Sequence, residues 1–273
     1  MLMSIIAITC TSLGDSMPPG LWSEASLPPP FNAADYGTLL RWYDADDAST
    51  ITESGGSVSQ WDDKSANTDH AEQSTGANQP AYNATGINSR GAINFGTFND
   101  ALFLKSTKNM GLSGDFESTA FAVVRSTYDG LINAFPTVFM QNERSNSRSY
   151  GLALADERAT LVTWNDHSSV AAGAAIDTTN PHLICLEKAA GTLTAGTTFY
   201  IDGGSALSTT ITNGSNNTPN LIDAPLLIGR FAESIGFHFF QGDIGEIIIY
   251  DGVLSAADRN AVTDHLIEKW GIS

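Results

Sequence analysis

The sequence predicts an all-β fold: a β-sandwich finished by one C-terminal α-helix and preceded by an extended N-terminal arm. Three observations carry that reading. From Thr38 onward, short apolar runs alternate with turn clusters at the spacing of a sandwich or barrel, not of βαβ units. Helical spacing over several turns occurs only at the end, where Val262, Leu266, Ile267 and Trp270 recur. The first 37 residues hold five of the ten prolines and no Lys or Arg, the first of which is Arg41. Such a composition stiffens a chain into polyproline-like segments.

The arm, residues 1–37, reads either as a disordered leader or as a docking element that adds a strand to a partner through Ser4 to Thr9. Within it, Leu13-Gly14-Asp15-Ser16 imitates the nucleophile block of GDSL-type esterases. Pro18, Pro19 and Gly20 follow where a helix should begin, and no Asp-x-x-His block lies downstream, so Ser16 is not taken as a nucleophile. The domain, 38–273, opens with expected strands at Leu39 to Tyr43, Val58 to Trp61, Ala92 to Phe95, Ala101 to Leu104 and Ala120 to Arg125. It continues with Thr137 to Gln141, Tyr150 to Ala155, Thr160 to Trp164, Leu183 to Glu187 and Thr197 to Ile201. Asp202-Gly203-Gly204 then supplies the positive φ angles of a tight hairpin. Strands at Leu207 to Thr212, Leu226 to Gly229 and Phe237 to Phe240 lead to the closing strand, Ile244 to Tyr250. Strict alternation puts Ile244, Glu246, Ile248 and Tyr250 on one face of it, and Ile247 and Ile249 on the other. Both faces are largely apolar, as in a strand covered on both sides. Ser255 is placed to cap the helix, with Asp258 three residues on.

Charge and cysteine usage exclude several function classes. Thirteen basic against thirty acidic residues give a net charge of −17, and there is no basic run. Nucleic acid and anionic membrane surfaces are therefore not expected partners. Cys10 and Cys185 lie too far apart to suggest a framework or a zinc motif and are expected as free thiols. The apolar patch at the N-terminus lacks a basic n-region, and no stretch approaches the roughly 20 apolar residues that span a bilayer. Synthesis in a cytoplasm without membrane insertion is the expectation.

Several stretches, in order, resemble the concanavalin A-like lectin/glucanase superfamily, in particular its laminin-G-like branch in phage and bacterial surface proteins. They are Leu40-Arg41-Trp42-Tyr43-Asp44-Ala45-Asp46-Asp47, Val58-Ser59-Gln60-Trp61-Asp62-Asp63-Lys64-Ser65, and Gln79-Pro80 with the Gly91 to Phe95 segment. Phe199-Tyr200-Ile201-Asp202-Gly203, Leu227-Ile228-Gly229-Arg230 and Gly242 to Tyr250 complete the set. The resemblance covers residues 38–273 and implies a jelly roll of two packed antiparallel sheets. It constrains function less, because lectins, glycanases, adhesion modules and virion proteins share the scaffold.

The paired-carboxylate pattern of the glucanase branch, Glu-x-Asp-x-x-Glu, is missing. Asp243 and Glu246 are its nearest imitation, but a spacing of three puts them on opposite faces of a regular strand. Calcium, which related modules bind, is the one cofactor to consider; Asp44, Asp46 and Asp47, and Asp62 with Asp63, are the acidic clusters, and turn capping explains them equally well. The histidines (His70, His167, His182, His238, His265) show no metal spacing. For glycan binding, Trp164-Asn165-Asp166-His167 combines an aromatic ring for stacking with groups that hydrogen-bond hydroxyls. The expected function is a non-enzymatic virion structural protein: a phage capsid decoration or tail-associated protein, docked on other virion proteins through the arm. It would be displayed on the virion surface as a homo-oligomer and adhere to host-surface polysaccharide. The alternatives are a secreted or cell-surface bacterial carbohydrate-binding module and a glycanase with an unrecognised active site.

Overall fold

The structure is a computed structural model that describes residues 29–96, 102–127, 135–141, 148–163, 168–231 and 238–273. The chain divides into Met1–Phe31, of which only 29–31 are described, and a compact unit, Asn32–Ser273. Residues 33–37 belong to the compact unit: Ala33 is fully buried, and its carbonyl accepts a hydrogen bond from the Tyr250 hydroxyl at 2.9 Å.

Among the described residues, the first eight strands are β1 (Thr38–Asp44), β2 (Ile51–Ser54), β3 (Ser57–Trp61), β4 (Ala71–Glu72), β5 (Ala81–Ile87), β6 (Arg90–Asn94), β7 (Leu104–Ser106) and β8 (Ser118–Ser126). After them come β9 (Thr137–Gln141), β10 (Tyr150–Ala155), β11 (Arg158–Thr163), β12 (Ser168–Ala172) and β13 (His182–Lys188). A single helical turn, α1 (Leu193–Gly196), precedes β14 (Thr197–Ile201), β15 (Thr209–Asn213), β16 (Leu226–Ile228), β17 (Gly242–Asp251) and the helix α2 (Ala256–Trp270). The predicted strands from Thr137, Tyr150 and Thr197 have the predicted bounds. Two are shifted: Leu104–Ser106 replaces Ala101 to Leu104, and Thr209–Asn213 replaces Leu207 to Thr212. Residues 238–240 form only isolated bridges, Phe239 with Thr137 and with Arg230, instead of the predicted strand. β2, β4, β5 and β12 were not predicted. β5 is mostly exposed and carries no apolar face, and β12 consists of small residues, so neither shows the alternation that marks a half-buried strand.

Every strand-to-strand ladder is antiparallel, and the ladders fall into two runs. In the first, β17 lies between β8 and a shared edge of β6 and β1, and β8 continues to β13 and β14. The second runs β2, β3, β4, β7, β16, β9, β10, β11, β12, β15. β5 turns the corner, pairing with β6 along its length and with β3 at Ser57 and Ala81. Inward residues of both runs share one core: Ile247, Ala122, Ile184 and Phe199 from the first meet Leu152, Leu161, Val170 and Ile228 from the second. Two layers over one core make a jelly-roll-like sandwich, as the strand pattern predicted.

The closing strand departs from strict alternation. Ile244 pairs with Val124 and Glu246 with Val123, which leaves Gly245 as the extra residue of a β-bulge. The bulge moves Ile244 to the inner face, where it joins Ile247 and Ile249 in the core. Glu246, Ile248 and Tyr250 face outward, and α2 lies over that face with Val262, Leu266 and Trp270 buried. Gly245 seats the helix, since a Cβ there would sit 2.6 Å from the Trp270 ring. The predicted cap is present: the Asp258 amide donates to the Ser255 hydroxyl oxygen at 3.2 Å. Gly271, in the left-handed region at φ 60°, ends the helix.

Candidate functional site

Trp164, Asn165, Asp166 and His167 lie outside the described residues, as does Cys10. Cys185 is a buried free thiol on β13, its pKa raised by burial. The acidic cluster is filled by cations of the chain itself. Lys64 Nζ donates to Asp44 at 3.0 Å and to Asp47 at 2.9 Å, Lys269 Nζ reaches the other Asp44 oxygen at 2.6 Å, and Arg90 binds Asp46 at 2.6 Å. Asp63 is buried and accepts from the Trp42, Ser65 and Asp69 amides. These carboxylates organise turns and the sheet edge. Among the described residues, no group of three or more His, Cys, Asp or Glu side chains is arranged to hold a metal ion.

The bulge overturns the expectation that Asp243 and Glu246 point opposite ways. Asp243 pairs with Arg125 and Glu246 with Val123, two residues apart on β8, so both carboxylates share the outer face. Each is 1% exposed and already engaged. Arg125 and Asn94 hold Asp243. Glu246 accepts from the Trp42 indole at 2.8 Å, the Trp270 indole at 2.8 Å and Lys269 at 2.7 Å. Burial, then the Asp44 charge, pushes the Glu246 carboxyl above its ordinary value, and Lys269 opposes the shift. A carboxylate so enclosed docks the helix and has no open position for a substrate.

An accessible arrangement lies at the other half of α2. The register of β13 and β14 sets Cys185, Glu187 and Tyr200 on the outer face, and α2 brings Arg259 onto them. The guanidinium carbon stands 4.1 Å from the Tyr200 ring centre. Arg259 Nη1 donates to Tyr200 Oη at 2.9 Å and to Glu187 Oε1 at 3.3 Å, while Tyr200 Oη donates to Glu187 Oε2 at 3.2 Å. Nη2 donates to Asn260 Oδ1 at 3.2 Å. Burial, then the Glu187 charge, raises the Tyr200 phenol, so the ring is a neutral donor. A cleft of about 460 Å³ opens beside this group, lined by Tyr200, Gly203, Ser205, Arg259, Asn260 and Thr263 among others.

The opposite wall is the predicted hairpin, with Asp202 at φ 51° and Gly203 at φ 71°. A Cβ at Gly203 would stand 2.8 Å from Ile267 Cδ1, so the hairpin approaches α2 only because it carries glycine. Asp202 anchors the hairpin at its base: it accepts from the Leu183 amide at 2.8 Å and meets His182 Nδ1 at 2.7 Å. That hydrogen bond raises the His182 pKa, against the effect of partial burial. His182 also borders a smaller cleft of about 250 Å³ with Asn88, Asp177 and Asn180.

Sequence reading singled out Phe199 to Gly203 as a strand entering a hairpin but assigned it no ligand role. Glu187 and Tyr200 lie 72 and 59 positions from Arg259, so no local motif announces the group. The one available signal was that Tyr200 and Glu187 both alternate onto the outer face, where α2 must pack.

In aggregate these features match known folds. Residues 129–258 match the laminin G model of the Concanavalin A-like lectin/glucanases superfamily. No curated protein matches the chain. Among solved structures, domain 4 of AbnA, a GH43 extracellular arabinanase from Geobacillus stearothermophilus in complex with arabinotriose, is 15% identical. That match covers 84% of this chain and 99% of the domain, with a TM-score of 0.53. A GH54 α-L-arabinofuranosidase is 12% identical over 86% of this chain and 60% of that one, TM-score 0.55. Trypanosoma rangeli sialidase is 12% identical over 82% of this chain but only 32% of its own length, TM-score 0.50. At such identities the likeness is one of fold. The family match over residues 129–258 and the two-layer architecture bear out the resemblance to the concanavalin A-like lectin/glucanase superfamily that the sequence motifs carried.

Proposed function

We propose that the chain is a carbohydrate-binding β-sandwich that holds a glycan without cleaving it. The observation that carries this reading is the cleft beside Tyr200 and Arg259. It offers a ring fixed by a stacked guanidinium, an amide at Asn260, a hydroxyl at Ser205 and glycine backbone, on a scaffold of strands and helix. Preorganised polar and aromatic groups in a shallow cleft suit sugar hydroxyls and C–H faces. The carboxylates that come nearest to a hydrolytic pair, Asp243 and Glu246, are buried and engaged, which favours binding over hydrolysis. Domain 4 of AbnA carries arabinotriose on a similar fold, which makes arabino-oligosaccharides the first ligands to test. Calorimetric titration with an oligosaccharide panel, followed by a reducing-sugar assay, tests the reading. Saturable binding without product supports it; release of reducing ends shows a glycanase instead.

A finer reading places this module on a virus particle, docked through residues 1–37 and assembled as a homo-oligomer. The Pro-rich, Lys- and Arg-free composition of that segment supports it. Mass spectrometry of purified particles should then detect the protein, and a chain beginning at Asn32, the start of the compact unit, should fold but fail to be incorporated. Incorporation of the shortened chain sinks the docking role.

A further inference from the structure

We infer that the Tyr200 cleft selects neutral glycans and rejects acidic ones, and that Glu187 sets this preference; the inference rests on the glycan-binding reading of the same cleft. Among the described residues, Arg259 is the one charged side chain lining it. A lone arginine in a sugar cleft would ordinarily attract a carboxylate, whose two oxygens match the guanidinium fork. Here the guanidinium already faces Glu187 Oε1 at 3.3 Å, and its remaining contacts go to Tyr200 Oη and Asn260 Oδ1. Glu187 is 7% exposed and sits beneath the pair, so solvent screens its charge poorly. The Arg259–Glu187 unit is thus electrically neutral toward a ligand.

Among the described residues, no second cation lines the cleft. Asp202 stands at the base of the hairpin wall against His182. Asp258 is engaged with Ser255, and Asp264 lies one helical turn beyond Asn260. A chain of net charge −17 opposes an approaching anion from further out. A uronate or sialate entering the cleft would give up its hydration and gain no free cation. Hydroxyl groups both donate and accept, and find complementary partners in the Asn260 amide, the Ser205 hydroxyl and the backbone of Gly203 and Gly204.

The test is calorimetric titration of the full chain at neutral pH. The ligands are neutral arabino-, xylo- and gluco-oligosaccharides on one side, oligogalacturonate and sialylated oligosaccharides on the other. The wild-type chain should bind from the neutral set alone. Glu187→Gln, which leaves the guanidinium charge uncompensated, should move the acidic-to-neutral affinity ratio upward by about tenfold or more. Asn260→Lys adds a cation at an exposed position and should shift the ratio the same way; it serves if Glu187→Gln fails to fold. Wild-type binding of acidic glycans as tight as neutral ones overturns the charge inference and leaves glycan binding intact. No binding to any glycan removes the glycan reading itself. Neutral-glycan affinity undiminished in Arg259→Ala overturns the assignment to this cleft.

Discussion

The two halves of α2 meet the same sheet face with the same chemistry, a carboxylate, a cation and an aromatic ring, yet they do different work. At the C-terminal half, Glu246 is 1% exposed and its oxygens take two indole N–H groups and an ammonium. At the N-terminal half, Glu187, Tyr200 and Arg259 form an equally connected group, but one side of it opens into a cleft of about 460 Å³. The difference is one of enclosure. A sealed network contributes to docking because removing any member leaves buried polar groups without partners. An open one loses less on disruption, since water reaches it from the cleft side, and its fixed geometry is available to a ligand.

Perturbations of unequal size should separate the two ends. The largest effect is expected from Glu246→Ala, which strands two indole donors and part of the Lys269 ammonium under the helix. A loss of about 3–5 kcal/mol is expected in chemical denaturation, and a loss below 1 kcal/mol breaks the contrast. Gly203→Ala forces a Cβ toward Ile267 at positive φ and should cost about 1–3 kcal/mol while distorting the cleft wall. Arg259→Ala leaves the Glu187 carboxylate with the Tyr200 hydroxyl and cleft water as partners, so it should cost about 1–3 kcal/mol yet lower glycan affinity at least about tenfold. Equal losses of stability at Arg259 and Glu246 would show that the two ends are alike.

The smallest effect concerns pH. Hydrogen bonding to Asp202 raises the His182 pKa in the folded chain above its ordinary value. The stabilisation is therefore fully present below that ordinary value, about 6.5, and is lost as pH rises through the folded pKa. Melting temperatures of the wild-type chain should converge on those of His182→Gln as pH increases through this window. A gap between the two that is constant with pH would remove proton linkage from the hairpin anchor.

Much of the scaffold was legible because periodicity reports which faces are buried. Thr137–Gln141, Tyr150–Ala155 and Thr197–Ile201 were bounded correctly from alternation and flanking turns, and Ser255, Val262, Leu266 and Trp270 announced α2 and its buried stripe. β5 and β12 were missed because an exposed strand and a strand of small residues carry no such period. The face assignment of β17 failed at Gly245, where one inserted residue reverses the side of everything before it. That single bulge moved Ile244 into the core and brought Asp243 onto the same face as Glu246.

Sequence by itself determined the all-β class, the closing strand with its capped helix, the glycine hairpin after Ile201 and the charge of −17 that disfavours anionic partners. These follow from local rules of alternation, capping, turn chemistry and composition, each satisfied within a few residues. Tertiary structure alone decided that Asp44, Asp46 and Asp47 are met by Lys64, Lys269 and Arg90, that Glu246 is sealed beneath Trp42 and Trp270, and that Arg259 closes over Tyr200 and Glu187. Such pairings join positions far apart in the chain. Their availability to a ligand depends on enclosure, a property of packing that no spacing of residues encodes.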